Sequence, residues 1–179
     1  FGSPSFARKV GSMKIFPHIF AFLTAAGALT GGTCAAQDFT WSFATNGASD
    51  FQLANASSVS DVALYSGAFP ANDPTINLQV GKRYTVTDTQ AFSHPLAIIA
   101  KAPGSDAGND IVLLSLSGTG SFESDPNVAF VETSGASASM TFTLTQALAD
   151  AMKDQTGGIN RQGGYRCQIH TSSMRGDFS

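Results

Sequence analysis

Three soft donor side chains lie close together late in the chain. In Tyr165-Arg166-Cys167-Gln168-Ile169-His170-Thr171-Ser172-Ser173-Met174, a thiolate, an imidazole and a thioether fall within eight residues. Two residues separate Cys167 from His170, and three separate His170 from Met174. A loop of that length can fold all three groups onto one point. Thiolate and thioether select copper(I), and imidazole suits copper in both oxidation states. Two imidazoles and one thiolate in a trigonal set, with a weak axial thioether, make a site that passes single electrons. Such a site needs a second imidazole from elsewhere. His94, in Phe92-Ser93-His94-Pro95-Leu96, supplies a candidate 73 positions before Cys167.

The elements that must position these groups read as short strands. The 179 residues are 42% hydrophobic and 13% charged, with 18 Gly and 14 Phe. Low charge and many glycines argue against a coiled coil or helical bundle, and the size suits one domain. Ten Lys and Arg against 13 Asp and Glu give no footprint for nucleic acid. Period-two alternation predicts strands over 39–43, 59–65, 75–80, 83–88 and 139–144. Continuous apolar runs predict buried strands over 96–100 and 111–116, and further strands are expected over 128–131 and 164–169. Gly81-Lys82 reads as a tight turn between strands. One helix is expected near 145–154, where Leu148 and Met152 share a face, with Thr143 or Thr145 as cap and Gly157-Gly158 as breaker. The fold class is therefore all-β, with one short helix.

The beginning of the chain reads as something other than fold. Residues 1–12, before Met13, are basic and patternless and are taken as an upstream, non-native segment. Residues 13–36 have the layout of a secretory signal peptide. Lys14 is followed by an apolar run and then by the small residues Thr33, Cys34, Ala35 and Ala36. Cleavage is expected after Ala36, with Ala35 the next choice. A membrane span fits less well, since Pro17, His18 and several glycines interrupt the run and a span needs about 20 apolar residues. Residues 37–179 would form the domain, secreted or, in a bacterium, periplasmic. Cleavage would remove His18 and Cys34, leaving one Cys and two His. An unpaired Cys in an oxidising compartment implies an intermolecular disulfide, a buried inert thiol or a metal ligand. The stretch 175–179 reads as the start of a last strand, and the sequence as a fragment. Asn55-Ala56-Ser57 is an N-glycosylation acceptor that would mark a surface loop.

The segment Thr75-Ile76-Asn77-Leu78-Gln79-Val80-Gly81-Lys82-Arg83-Tyr84-Thr85-Val86, then His94, and later Cys167-x-x-His170 with Met174-x-Gly176, resembles the cupredoxins, the small blue-copper proteins. The resemblance frames about residues 75–176. It implies a Greek-key β-sandwich binding one type 1 copper through His94, Cys167, His170 and Met174, with Met174 axial. It implies one-electron transfer with a redox partner protein or a small-molecule reductant, His170 being the point of electron access, with Ile169 and Thr171 near the docking surface. Two features depart from the family. Pro95 follows His94 where many members carry an Asn that ties the two ligand loops together. The stretch 101–127 is also long for a small electron carrier.

Each residue also has a plainer role. Cys167 would be a buried structural thiol, His94 a satisfied strand-end histidine, Met174 a core methionine. Met140, Met152, Trp41 and the phenylalanines read as core, and Tyr165 as packing beside the site. Arg166 and Arg175 would be surface charges or would face an anionic partner, and the acids from 106 to 125 a solvated loop. The alternatives to an electron carrier are a copper-binding module for storage or structure, or the cofactor domain of a larger copper enzyme. The small His count excludes multicopper oxidases and copper–zinc superoxide dismutases. No His begins the expected mature chain, as a histidine-brace monooxygenase requires. Neither a Gly-x-Ser-x-Gly elbow nor a phosphate-binding glycine loop is present.

Overall fold

A computed structural model describes residues 39–59 and 62–179. The segments read as an upstream piece and a leader lie outside the described residues. The strands are β1 (Phe39–Asn46), β2 (Asp50–Ala56), β3 (Ser58–Val59), β4 (Val62–Ala63), β5 (Ala71–Asn72), β6 (Arg83–Asp88), β7 (Leu96–Lys101), β8 (Ile111–Ser115), β9 (Val131–Thr133), β10 (Ala138–Thr143), β11 (Gln162–Cys167) and β12 (Arg175–Asp177); the helix α1 is Gln146–Ala151. The protein is an all-β sandwich. One sheet runs β5-β2-β1-β6-β10-β9, the other β12-β11-β7-β8, and β3 and β4 form a separate hairpin. All neighbours are antiparallel except β1 and β6.

Alternation decides which side chains enter the core. Phe39, Trp41 and Phe43 of β1, Tyr84 and Val86 of β6, and Met140 and Phe142 of β10 point inward from the first sheet. Leu96, Ile98 and Ala100 of β7 and Tyr165 and Cys167 of β11 meet them from the second. The sheets touch through rings: Phe43 and Tyr165 have centroids 4.8 Å apart. Strand β7 is also buried on its other side, at Ala97 and Ile99, so it shows no alternation. The 101–127 stretch folds over that outer face, where Arg166 of β11 donates to the Ala107 carbonyl.

Several expected elements came out differently. The 59–65 segment does not run straight, because Val59 pairs with Val62 in the β3–β4 hairpin. In 75–80 a single parallel bridge joins Ile76 to Phe178. The N–H groups of Ile76 and Leu78 donate to the Asp177 and Ser179 carbonyls, so the end of the chain described here supplies the partner. Strand β9 begins at Val131, and Val128 instead buries its side chain from the preceding turn. Strand β2 was not expected, since only Phe51 and Leu53 alternate inward in a polar segment. Asn55 is exposed but sits on that strand and not in a loop. Helix α1 is capped as expected, with the Thr145 hydroxyl accepting from Leu148 N–H, and is shorter than 145–154.

Candidate metal centre

Strand ends bring the chemistry together. Strand β6 ends at Asp88, whose inward-pointing carboxylate accepts from Gln90 N–H at 2.9 Å. The Gln90 carbonyl then accepts from the N–H groups of Ser93 and His94, both at 3.0 Å. This turn delivers His94 to the interior end of the sandwich, 7% exposed. Cys167 is the last residue of β11 and wholly buried. His170 follows in the loop, and Met174, wholly buried, precedes β12. The loop is closed by its own backbone. Cys167 N–H donates to the Met174 carbonyl at 3.0 Å and Met174 N–H to the His170 carbonyl at 3.1 Å.

The two ligand segments are also tied to each other. Gln168 N–H donates to the Pro95 carbonyl at 2.9 Å. The main chain thus supplies the tether that a side chain after His94 would otherwise provide. The Gln168 side chain accepts from the Thr119 hydroxyl, which belongs to a network of Ser115, Gly120 and Glu123.

The donor atoms form a small triangle. His94 Nδ1 lies 3.1 Å from His170 Nδ1, and Cys167 Sγ lies 3.9 Å and 3.7 Å from them respectively. An ion about 2.0 Å from each nitrogen and about 2.3 Å from the sulfur, in a trigonal set, requires about 3.5 Å between nitrogens and about 3.7 Å from nitrogen to sulfur. The residues fit. His94, Cys167 and His170 form a group that can hold a metal ion. Met174 stands at the far end of the same loop, linked to Cys167 and His170 through its backbone.

Burial pushes the Cys167 thiol above its ordinary value, opposed by the N–H groups of His170 and Ile169, which each donate to Sγ at 3.3 Å. Burial lowers the His94 pKa, and the neighbouring His170 lowers it further, so His94 favours its neutral, ligating form. The Asp88 pKa is raised to about 6 by burial, against the opposing pull of the Gln90 and Leu96 N–H groups.

Sequence reasoning missed three acids. Asp88 organises the His94 turn, and its clue was a charged residue on the inward face of the Tyr84, Val86, Asp88 alternation. Asp110 is not solvated: its side chain is wholly buried and holds Arg166 and Arg175. Glu123 likewise accepts from three donors, at Ser115 N–H, Ser115 Oγ and Gly120 N–H. The reading of the 106–125 acids as a solvated loop fails for Asp110 and Glu123 and holds for the exposed Asp106, and the arginines are not free to face a partner. Tyr165, Met140, Met152 and Trp41 are core, as expected. No family model, curated protein or solved structure matches the chain. Among the described residues, no helix is long and apolar enough to cross a membrane.

Proposed function

We propose that this chain is a type 1 copper protein of the cupredoxin kind that passes single electrons outside the cytoplasm. The observation that carries the reading is the triangle of His94 Nδ1, His170 Nδ1 and Cys167 Sγ at 3.1–3.9 Å. The Cys167 thiolate is the soft donor that copper selects and the two imidazoles suit copper in either state, and the Met174 thioether would be the fourth residue to hold the ion. Copper bound there would supply one-electron chemistry by alternating between Cu(I) and Cu(II). The protein's residues do the rest. The two N–H donors to Cys167 Sγ stabilise its thiolate and fix its direction. Burial of His94, Cys167 and Met174 excludes water. The tether from Gln168 to Pro95 keeps the two ligand segments from parting, so the donors stay in place in both oxidation states.

His170 is half-buried, and apolar residues beside both histidines reach solvent: Phe92 is 77% exposed and Ile169 58%. A redox partner, a protein or a small reductant, would meet the protein at this face. Copper quantification and voltammetry of the loaded protein test the reading. One copper per chain and one reversible one-electron wave are expected, with both lost in His94→Ala. Tightly bound copper without a reversible wave would make the protein a copper store or structural module, and no stoichiometric copper would overturn the site.

A further inference from the structure

Two arginines face each other at the neck of the proposed ligand loop, and one buried carboxylate grips both. Arg166 precedes Cys167 on β11, Arg175 follows Met174 on β12, and the two are register partners. Their rung adjoins the Cys167-to-Met174 backbone bond that closes the loop. Like charges directly opposite each other on paired strands repel. Both are largely out of water, with side chains 12% and 3% exposed. Asp110, itself at 0%, sets one oxygen on each: Oδ2 accepts from Arg166 at 2.8 Å and Oδ1 from Arg175 at 2.6 Å. Oδ1 also accepts from Ala102 N–H. The remaining arginine bonds run to the carbonyls of Ala102, Gly104 and Ala107. Every one of these partners lies between residues 102 and 110, at the start of the long stretch that follows β7.

We infer that Asp110 is a positioning residue for the metal centre, holding the Cys167 and Met174 ends of the loop together by neutralising the two cations beside them. The inference rests on the metal-binding reading of the loop. The carboxylate touches no donor atom. It acts through Arg166 and Arg175 on the strand that ends at Cys167 and the strand that begins just after Met174. Without it, two buried cations face each other across the neck, and the cheapest relief is to spread the strands there.

The test uses the whole chain carrying Cys34→Ser, so that Cys167 is its one thiol, with and without Asp110→Asn, which keeps the side-chain shape and removes the charge. Two quantities are read: the rate at which a thiol-specific disulfide reagent labels Cys167 in the metal-free protein, and the dissociation constant and thiolate-to-metal band with cobalt(II). A folded Asp110→Asn protein is expected to label faster and to bind cobalt about 10- to 100-fold more weakly with a shifted band. Thr145→Ala, which removes a helix cap away from the site, serves as the control for a loss of stability alone. Labelling and cobalt affinity in Asp110→Asn that match the control overturn the inference, even if the melting temperature falls. If Asp110→Asn alone does not fold, Asp110→Asn combined with Arg166→Gln, which removes one of the two facing cations together with the carboxylate, should fold and bring labelling and cobalt affinity back towards the wild-type values, and a double variant that does not fold or does not restore them overturns the inference. If the wild type takes up no cobalt, the metal reading fails and labelling alone decides: faster labelling in Asp110→Asn supports the clamp, and an unchanged rate removes it.

Discussion

Cys167 sits where three demands meet: it is buried, it accepts two backbone N–H groups, and it faces two imidazoles. The grouping of Cys167 and His170 with His94 was legible in the sequence because Cys and His are rare in the chain and two of them fall in one short segment. Asp88 and Asp110 were not, because a buried carboxylate's role depends on what the fold brings to it. Asp88 carries a sharp prediction. Its pKa rises from 3.8 to about 6 on folding, through burial. The folded protein therefore holds that proton more tightly than the unfolded chain. The resulting stability is complete below the unfolded value and is lost as pH rises through about 6. Asp88→Asn cannot titrate there, and Asp73, also raised to about 6, is common to both proteins. In urea unfolding of the metal-free proteins, the wild type should lose about 2–3 kcal/mol relative to Asp88→Asn between about pH 4 and about pH 7. Parallel pH profiles would show that the Asp88 carboxyl is not so perturbed. At Met174, replacing a soft thioether by the harder amide oxygen in Met174→Gln favours Cu(II) and should lower the reduction potential, as voltammetry would show. An unmoved potential would leave Met174 as a core side chain.

Strands β6, β7, β8 and β10 were readable from period-two alternation or from continuous apolar runs, since burial on one face or both leaves those marks directly. The β3–β4 hairpin, β2 and the bridge at Ile76 were not, because their pairing partners lie elsewhere and their own patterns are short. Strand β12 depends on a close approach that only glycine permits. Gly176 pairs with Tyr165, and a Cβ there would overlap the tyrosine ring, which is itself fixed by its hydroxyl donating to the Pro74 carbonyl at 2.7 Å. Gly176→Ala should therefore cost about 1–3 kcal/mol, read as a lower urea midpoint at unchanged slope. Because β12 anchors the Met174 end of the loop, the same variant should weaken copper binding. A midpoint equal to that of the wild type would mean the ring can move aside.

The described residues form two main sheets closed over an aromatic core, with the candidate site where the ends of β6, β7 and β11 meet the loop into β12. All-β architecture was legible from composition and strand spacing. The cover that 102–110 and 115–123 form over the second sheet was not, since acids and glycines there read as solvated loop until their partners are seen. An ion that binds the folded site and not the unfolded chain stabilises the whole fold, by about 4 kcal/mol when its free concentration is about a thousand times its dissociation constant. Thermal melts should therefore rise with copper and return on chelation, in the wild type but not in His94→Ala. The most direct test of the central claim is the visible absorption of the protein titrated with Cu(II), beside Cys167→Ser. The expected result is one intense thiolate-to-copper band that saturates at one equivalent and is absent from the variant. A wild-type protein that stays colourless, or a band that survives in Cys167→Ser, would contradict the claim.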